Sequence, residues 1–141
     1  MVSHFNHDVT EKMKEEAVVA YAKKLGANVA FVKAVRGAFE IPLVAKAMLK
    51  RDDVDGVVTL GCVLKGGTKH DEVISFSVGK QLLELSCEFE KPVSLGIMGP
   101  GITKQQAIER IPYYAQGAVE GVLSSKKVLE GKEFAFEESK H

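Results

Sequence analysis

Apolar positions along this chain switch repeatedly between strand-like runs and helical spacing. Val2 to His4 reads as a short strand. From Asp8 to Leu25 the apolar residues Met13, Ala17, Val18, Tyr21 and Leu25 keep to one helix face. Asp8 followed by Glu11 has the form of a capping box, and Gly26 stands where such a helix stops. Asn28 to Val35 is β-branched and strand-like, and Pro42 opens a helix over Ile41 to Arg51. Gly56 to Leu60 predicts a short buried strand. The longest helix spans His70 to Phe89, with apolar positions at Val73, Phe76, Val78, Leu82, Leu83 and Leu85. Pro92 to Ile97 predicts the fourth strand, Thr103 caps a helix through Ile111, and Pro112 marks a break. Ala115 to Leu129 is the last helix and Gly131 its stop.

Strand–helix alternation over one domain, residues 1–141, predicts an α/β fold: a four-stranded parallel sheet covered on both faces by helices joined through right-handed crossovers. Residues 131–141, polar with two Phe, predict a loosely held tail. The polar and glycine-rich stretches follow the strands. They are His4-Phe5-Asn6, then Arg36 to Glu40, then Lys65 to His70, then Met98 to Gly101. Ligands of open α/β sheets bind at the carboxyl ends of strands, so four loops converging on one edge mark a candidate site.

Composition narrows the function. Nineteen basic and 19 acidic residues leave no formal charge, which argues against nucleic-acid and polybasic membrane partners. No apolar run is long enough to span a bilayer and no signal peptide opens the chain, so a cytoplasmic protein is expected. The two cysteines, Cys62 and Cys87, lack metal-ligand spacing and read as free thiols.

The segment Gly61 to Glu72, GCVLKGGTKHDE, carries the sharpest chemistry. An apolar run enters a glycine-paired turn, which enters a helix at His70. Free backbone N–H groups at a helix N-terminus suit a phosphate, and a histidine beside them can move protons near neutral pH. The spacing approaches a P-loop, but Gly67 replaces its lysine, which excludes a nucleoside triphosphatase. Taken singly, most neighbours have plain structural roles. Phe5 suits a core, Glu40 caps a helix, Arg110 complements a helix end, and Lys65 and Lys69 are solvated. As a set they describe a site for an aromatic ring, a polar chain and a phosphate.

These residues resemble the lumazine synthase family over nearly the whole chain. The anchors are Phe5-Asn6, GAFEIP from Gly37 to Pro42, GCVLKGGTKHDE, KPVSLGI, and QQAIER ending at Arg110. GPG after Ile97 looks like archaeal members. The resemblance implies a flavodoxin-like three-layer α/β/α sandwich. It also implies condensation of 5-amino-6-ribitylaminouracil with 3,4-dihydroxy-2-butanone 4-phosphate, without metal or organic cofactor. By position, Phe5 would stack on the pyrimidine, and Ala38, Phe39 and Glu40 would hold the ribityl chain. Cys62, Val63 and Leu64 would contact the heterocycle. Gly67 and Thr68 would bind phosphate and His70 would shuttle protons. A neighbouring subunit would bring Arg110 to the phosphate, and Leu95 stands where some members set Phe against the neighbour's pyrimidine. The implied partner is a further copy of the chain, in a pentamer and, by extension, a sixty-subunit shell. Departures from the family pattern are Arg36 for a proline, Gly67 for Glu or Ala, and Gln116-Gly117 where a lysine is common. The first strand also begins unusually early in the chain. Two other readings share the fold: an archaeal-type riboflavin synthase paralog, and a non-catalytic flavin-binding or shell-forming protein.

Overall fold

The computed structural model describes residues 1–136, so the part of the expected tail from residue 137 onward lies outside the described residues. Four parallel strands run in the order β2-β1-β3-β4. They are β1 (Val2–Ser3), β2 (Ala34–Val35), β3 (Leu60–Leu64) and β4 (Gly96–Ile102). The helices are α1 (His7–Lys14), α2 (Ile41–Leu49), α3 (His70–Phe89), α4 (Lys104–Glu109) and α5 (Ile111–Leu129). The first helix does not stop at Lys14 but continues as wider π-helical turns over Glu15–Ala22. Gly26 and Gly131, both at positive φ, lie just past the ends of their helices, as expected.

Helices cover both faces. Val9, Met13, Ala17 and Tyr21 pack with Ala115, Ala118 and Val119 of α5 against Cys62 and Met98 of the sheet. On the other face, Ile41, Ala45 and Leu49 of α2 join Val78, Leu82 and Leu85 of α3 against Ile97. Each such fully buried Leu or Ile contributes roughly 1.5–3 kcal/mol of transfer free energy. The architecture is therefore the flavodoxin-like α/β sandwich. The chain passes from β1 to β2 on one side and then to β3 on the other, so strand order reverses between β1 and β3. That reversal opens a crevice at the carboxyl edge.

Several element boundaries differ from the sequence expectation. The third strand begins at Leu60 rather than ending there, and the fourth runs from Gly96 to Ile102 rather than ending at Ile97. Gly61, expected just past the third strand, lies inside it: a Cβ there would sit 3.0 Å from Ser3 Oγ and 3.3 Å from Ile97, so glycine serves close strand contact. Met98 to Gly101, expected as a loop, forms an irregularity inside the ladder: Cys62 pairs with Met98 but Leu64 with Ile102. Of the strand expected over Asn28–Val35, only Ala34–Val35 forms. Its neighbour β1 offers just two ladder residues, so the earlier part has nothing to pair with. The Asp8–Glu11 capping box is absent too. Left-handed Asn6 precedes the helix, its carbonyl accepts from Val9 and Thr10, and Asp8 pairs instead with Lys104. Thr103 does cap α4 in a box with Gln106. Pro112 lies inside the first turn of α5, where no N–H is needed, so this helix starts at Ile111 rather than Ala115.

Candidate active site

The carboxyl edge of the sheet gathers the loops after β1, β2 and β3. His4 N–H donates to Val35 O (2.7 Å) and Phe5 N–H to Arg36 O (2.8 Å), so β1 and β2 stay zipped past their formal ends. Asn6, at φ 59°, turns the chain into α1, and its Nδ2 donates to Cys62 O at 2.9 Å. That bond ties the first loop to β3 across the crevice. Phe5 is left 66% exposed, far from the core position an isolated Phe would favour.

Beyond β2, Ala38–Glu40 form a single 3-10 turn leading into α2. Ala38 is buried among α2 and α3 side chains, which anchors the turn, while Phe39 stands 63% exposed. One Glu40 carboxylate oxygen accepts the Gly37 N–H at 3.0 Å. Glu40 thus performs the local capping role that its sequence position also suggested.

Beyond β3 lies the glycine turn. Gly66 and Gly67 are exposed, neither has a positive φ, and a Cβ on either would meet nothing within 4 Å. The fold itself therefore does not require glycine there. Backbone N–H groups of residues 66–69 find no backbone acceptor among the described residues. Thr68 Oγ1 accepts the His70 N–H at 3.4 Å, and His70 is the first residue of the 20-residue helix α3. Arg36, Lys65 and Lys69 are exposed and form no ion pair with a described residue. The edge combines open donors, a helix N-terminus and unneutralised cations, a combination suited to an anion. On its far side, Lys104 beside Asp8 holds that carboxyl below its ordinary value.

Phe5, Ala38, Phe39, Glu40, Val63, Leu64, Gly67, Thr68 and His70 thus come to one edge. Two expected site residues, the Cys62 side chain and Leu95, do not join them there. The Cys62 side chain is only 3% exposed and faces the α1–α5 core; burial, with a smaller push from Asp8, raises its thiol to about 11. Only its carbonyl serves the edge, through Asn6. Leu95 precedes β4 and lies against α3 at Gly79. Gly79 lies nine positions along α3 from His70, about 13.5 Å at 1.5 Å per residue. Arg110 sits exposed between α4 and α5, with no ion pair to a described residue.

One contributor lay hidden within the HDE triplet. Asp71 is 6% exposed, and its Oδ2 accepts the Gly101 N–H at 2.8 Å. An acidic residue in a first helical turn reads as a solvated complement to the dipole, and no periodicity distinguishes a buried one. Among the described residues, no helix is long and apolar enough to cross a membrane, and no three or more His, Cys, Asp or Glu side chains gather as for a metal ion.

The family model for 6,7-dimethyl-8-ribityllumazine synthase matches residues 1–130. A protein of that name from Staphylothermus marinus is 46% identical over 140 residues, 97% of this chain and 93% of its own length. One from Metallosphaera sedula is 54% identical over 123 residues, covering 87% of this chain and 81% of its own. One from Sulfolobus acidocaldarius is 46% identical over 129 residues, covering 92% and 81% respectively. Identity at that level along nearly the full length means that the chain belongs to the 6,7-dimethyl-8-ribityllumazine synthase family.

Proposed function

We propose that this chain is a lumazine synthase of riboflavin biosynthesis. It condenses 5-amino-6-ribitylaminouracil with 3,4-dihydroxy-2-butanone 4-phosphate to 6,7-dimethyl-8-ribityllumazine, releasing phosphate and water. The observation that carries this reading is the glycine pair ahead of His70. The fold has no need of glycine there, so the remaining reason is close approach of a ligand to the backbone.

In this reading Gly67 and Thr68 hold the phosphate through N–H and hydroxyl groups, with Lys65 and Lys69 adding field. Exposed Phe5 stacks on the pyrimidine, while Val63 and Leu64 wall the heterocycle. The Ala38–Glu40 turn receives the ribityl chain through its backbone and the free oxygen of Glu40. The substrate amine attacks the ketone and water leaves as the imine forms. His70 then accepts a carbon-bound proton as the phosphate departs, and ring closure expels the second water. The protein supplies mainly proximity and orientation, with modest acid–base help.

The active unit is proposed to be a pentamer in the cytoplasm, with each site at a subunit boundary and a sixty-subunit shell as the larger form. Two features support this. Leu95 lies along α3 away from its own chain's turn, and Arg110 stands exposed with no ion pair to a described residue, as suits residues lent to a neighbour. Val73, Phe76 and Leu83 stand exposed on α3, opposite its buried Val78, Leu82 and Leu85, which leaves a large apolar face for copies of the same helix.

Mixing purified chain with both substrates and following lumazine absorbance and free phosphate tests the activity. Equimolar lumazine and phosphate are expected. Absence of both, or conversion of lumazine to riboflavin instead, would overturn it.

A further inference from the structure

The loop read above as the phosphate turn is held at both ends by two consecutive residues of β4. At its start, Lys65 N–H donates to Ile102 O at 2.8 Å. At its end, Asp71 Oδ2 accepts the Gly101 N–H at 2.8 Å. Between them, Gly66 to His70 carry the open donors and the candidate proton shuttle. Gly101 sits at φ 74° in the irregular part of β4, just where the ladder skips from Met98 to Ile102. The skip turns the Gly101 N–H away from the β3 ladder, and a buried carboxylate on α3 meets it. Half-buried Ser75, one turn further along α3, has its hydroxyl 3.3 Å from the place a Gly99 Cβ would occupy, and that buried hydroxyl has no hydrogen-bond partner among the described residues. Among the described residues, Asp71 is thus the one side chain bonded to the backbone of residues 99–101.

We propose that Asp71 is a positioning residue: its carboxylate closes the Gly66–His70 turn onto Gly101 and so sets the spacing of the anion-binding N–H groups and of His70. The proposal rests on the reading of that turn as the phosphate site. A carboxylate this close to a bound phosphate repels it, so its presence is not explained by ligand attraction. What it supplies is an acceptor of the right reach for the Gly101 N–H, on a side chain itself only 6% exposed. Without it the first turn of α3 loses its tie to the sheet, and the turn is anchored at Lys65 alone. The same bond fixes the residue before Ile102 and Thr103, from which α4 departs toward Arg110.

Three variants test this, read by inorganic phosphate binding in calorimetry, by KM for each substrate, and by amide exchange of the peptide covering residues 96–103. Asp71→Ala is expected to weaken phosphate and raise KM for the butanone phosphate about tenfold, the worth of one charged hydrogen bond, with KM for the pyrimidine within about twofold. Exchange in β4 should rise. Asp71→Asn keeps the acceptor and sheds a like charge, so it should bind phosphate at least as well as the parent. Thr68→Ala should weaken phosphate with exchange in β4 unchanged. If Asp71→Ala does not assemble, Asp71→Ser, whose hydroxyl stops short of Gly101, carries the same comparison. Normal phosphate binding in the Ala or Ser variant, equal loss for both substrates, or an Asn variant as weak as Ala would overturn the positioning role while leaving the phosphate site intact. A Thr68→Ala protein that binds phosphate like the parent would remove the turn as the anion site, and the role of Asp71 with it.

Discussion

At the scale of single residues, position in the fold decides which polar groups can act. His70 opens α3 with its side chain exposed, beside backbone N–H groups that find no backbone acceptor among the described residues, and the proposed function gives it the proton shuttle. His70→Ala should lower kcat by ~10²-fold or less with KM nearly unchanged, because positioned acid–base groups are worth ~10²–10⁴-fold and proximity carries the rest. Steady-state rates at wild-type level would remove His70 from the mechanism. Cys62, eight residues away, is the opposite case. Burial pushes its thiol from the ordinary 9.0 up to about 11. Above pH 9 the unfolded chain sheds this proton while the folded chain keeps it, so the folded state binds more protons. Stability from this group is therefore fully present below pH 9 and declines as pH rises toward 11, by roughly 1.4 kcal/mol per unit at the steepest. Denaturant midpoints at pH 8 and 10.5 should fall further apart for the parent than for Cys62→Ala. Equal pH slopes would mean that the thiol is not desolvated.

At the scale of elements, glycine carries two meanings that only the structure separates. At Gly99, with φ 114°, an added Cβ would lie 2.5 Å from Val63 O; at Gly66 it would meet nothing within 4 Å. Gly99→Ala should therefore destabilise strongly, beyond ~2 kcal/mol, by combining a positive φ with a backbone clash. Gly66→Ala should shift Tm by only a few degrees yet raise KM for the butanone phosphate. Thermal melts and substrate titrations of the pair check this, and a Gly66→Ala enzyme with unchanged KM would contradict ligand approach at that turn. The helices α3 and α4 were legible in the sequence, α3 from its long run of apolar positions at helical spacing and α4 from its Thr103 cap. Strand ends were not. Fully buried parallel strands lack alternation, so the third strand reads as ending before Gly61 and Met98–Gly101 as a loop, although both lie in the ladder. The edge of the site was legible because its loops carry unusual residues in series. The Asp71–Gly101 bond was not, because it joins residues 30 positions apart through an irregularity that no local pattern announces.

At the scale of the molecule, the proposed function makes the site a shared one. The chain's own edge supplies the turn, Phe5, Phe39 and Glu40, while Leu95 lies against α3 at Gly79 and Arg110 lies beyond α4. A guanidinium suits a shared phosphate because its fork is planar and permanently charged. Arg110→Ala should accordingly raise KM for the butanone phosphate more than for the pyrimidine, and equal losses would indicate a structural role instead. The central claim is that this edge becomes an active site only when a neighbour adds Arg110. Mixed assemblies test it most directly. Thr68→Ala/His70→Ala chains and Arg110→Ala chains are unfolded together, refolded as one population, and assayed for lumazine formation. With sites shared between chains, some boundaries pair an intact turn with an intact arginine, so activity should exceed the mean of the two parent preparations. Activity equal to that mean, or an active monomer in sedimentation, would contradict the shared site.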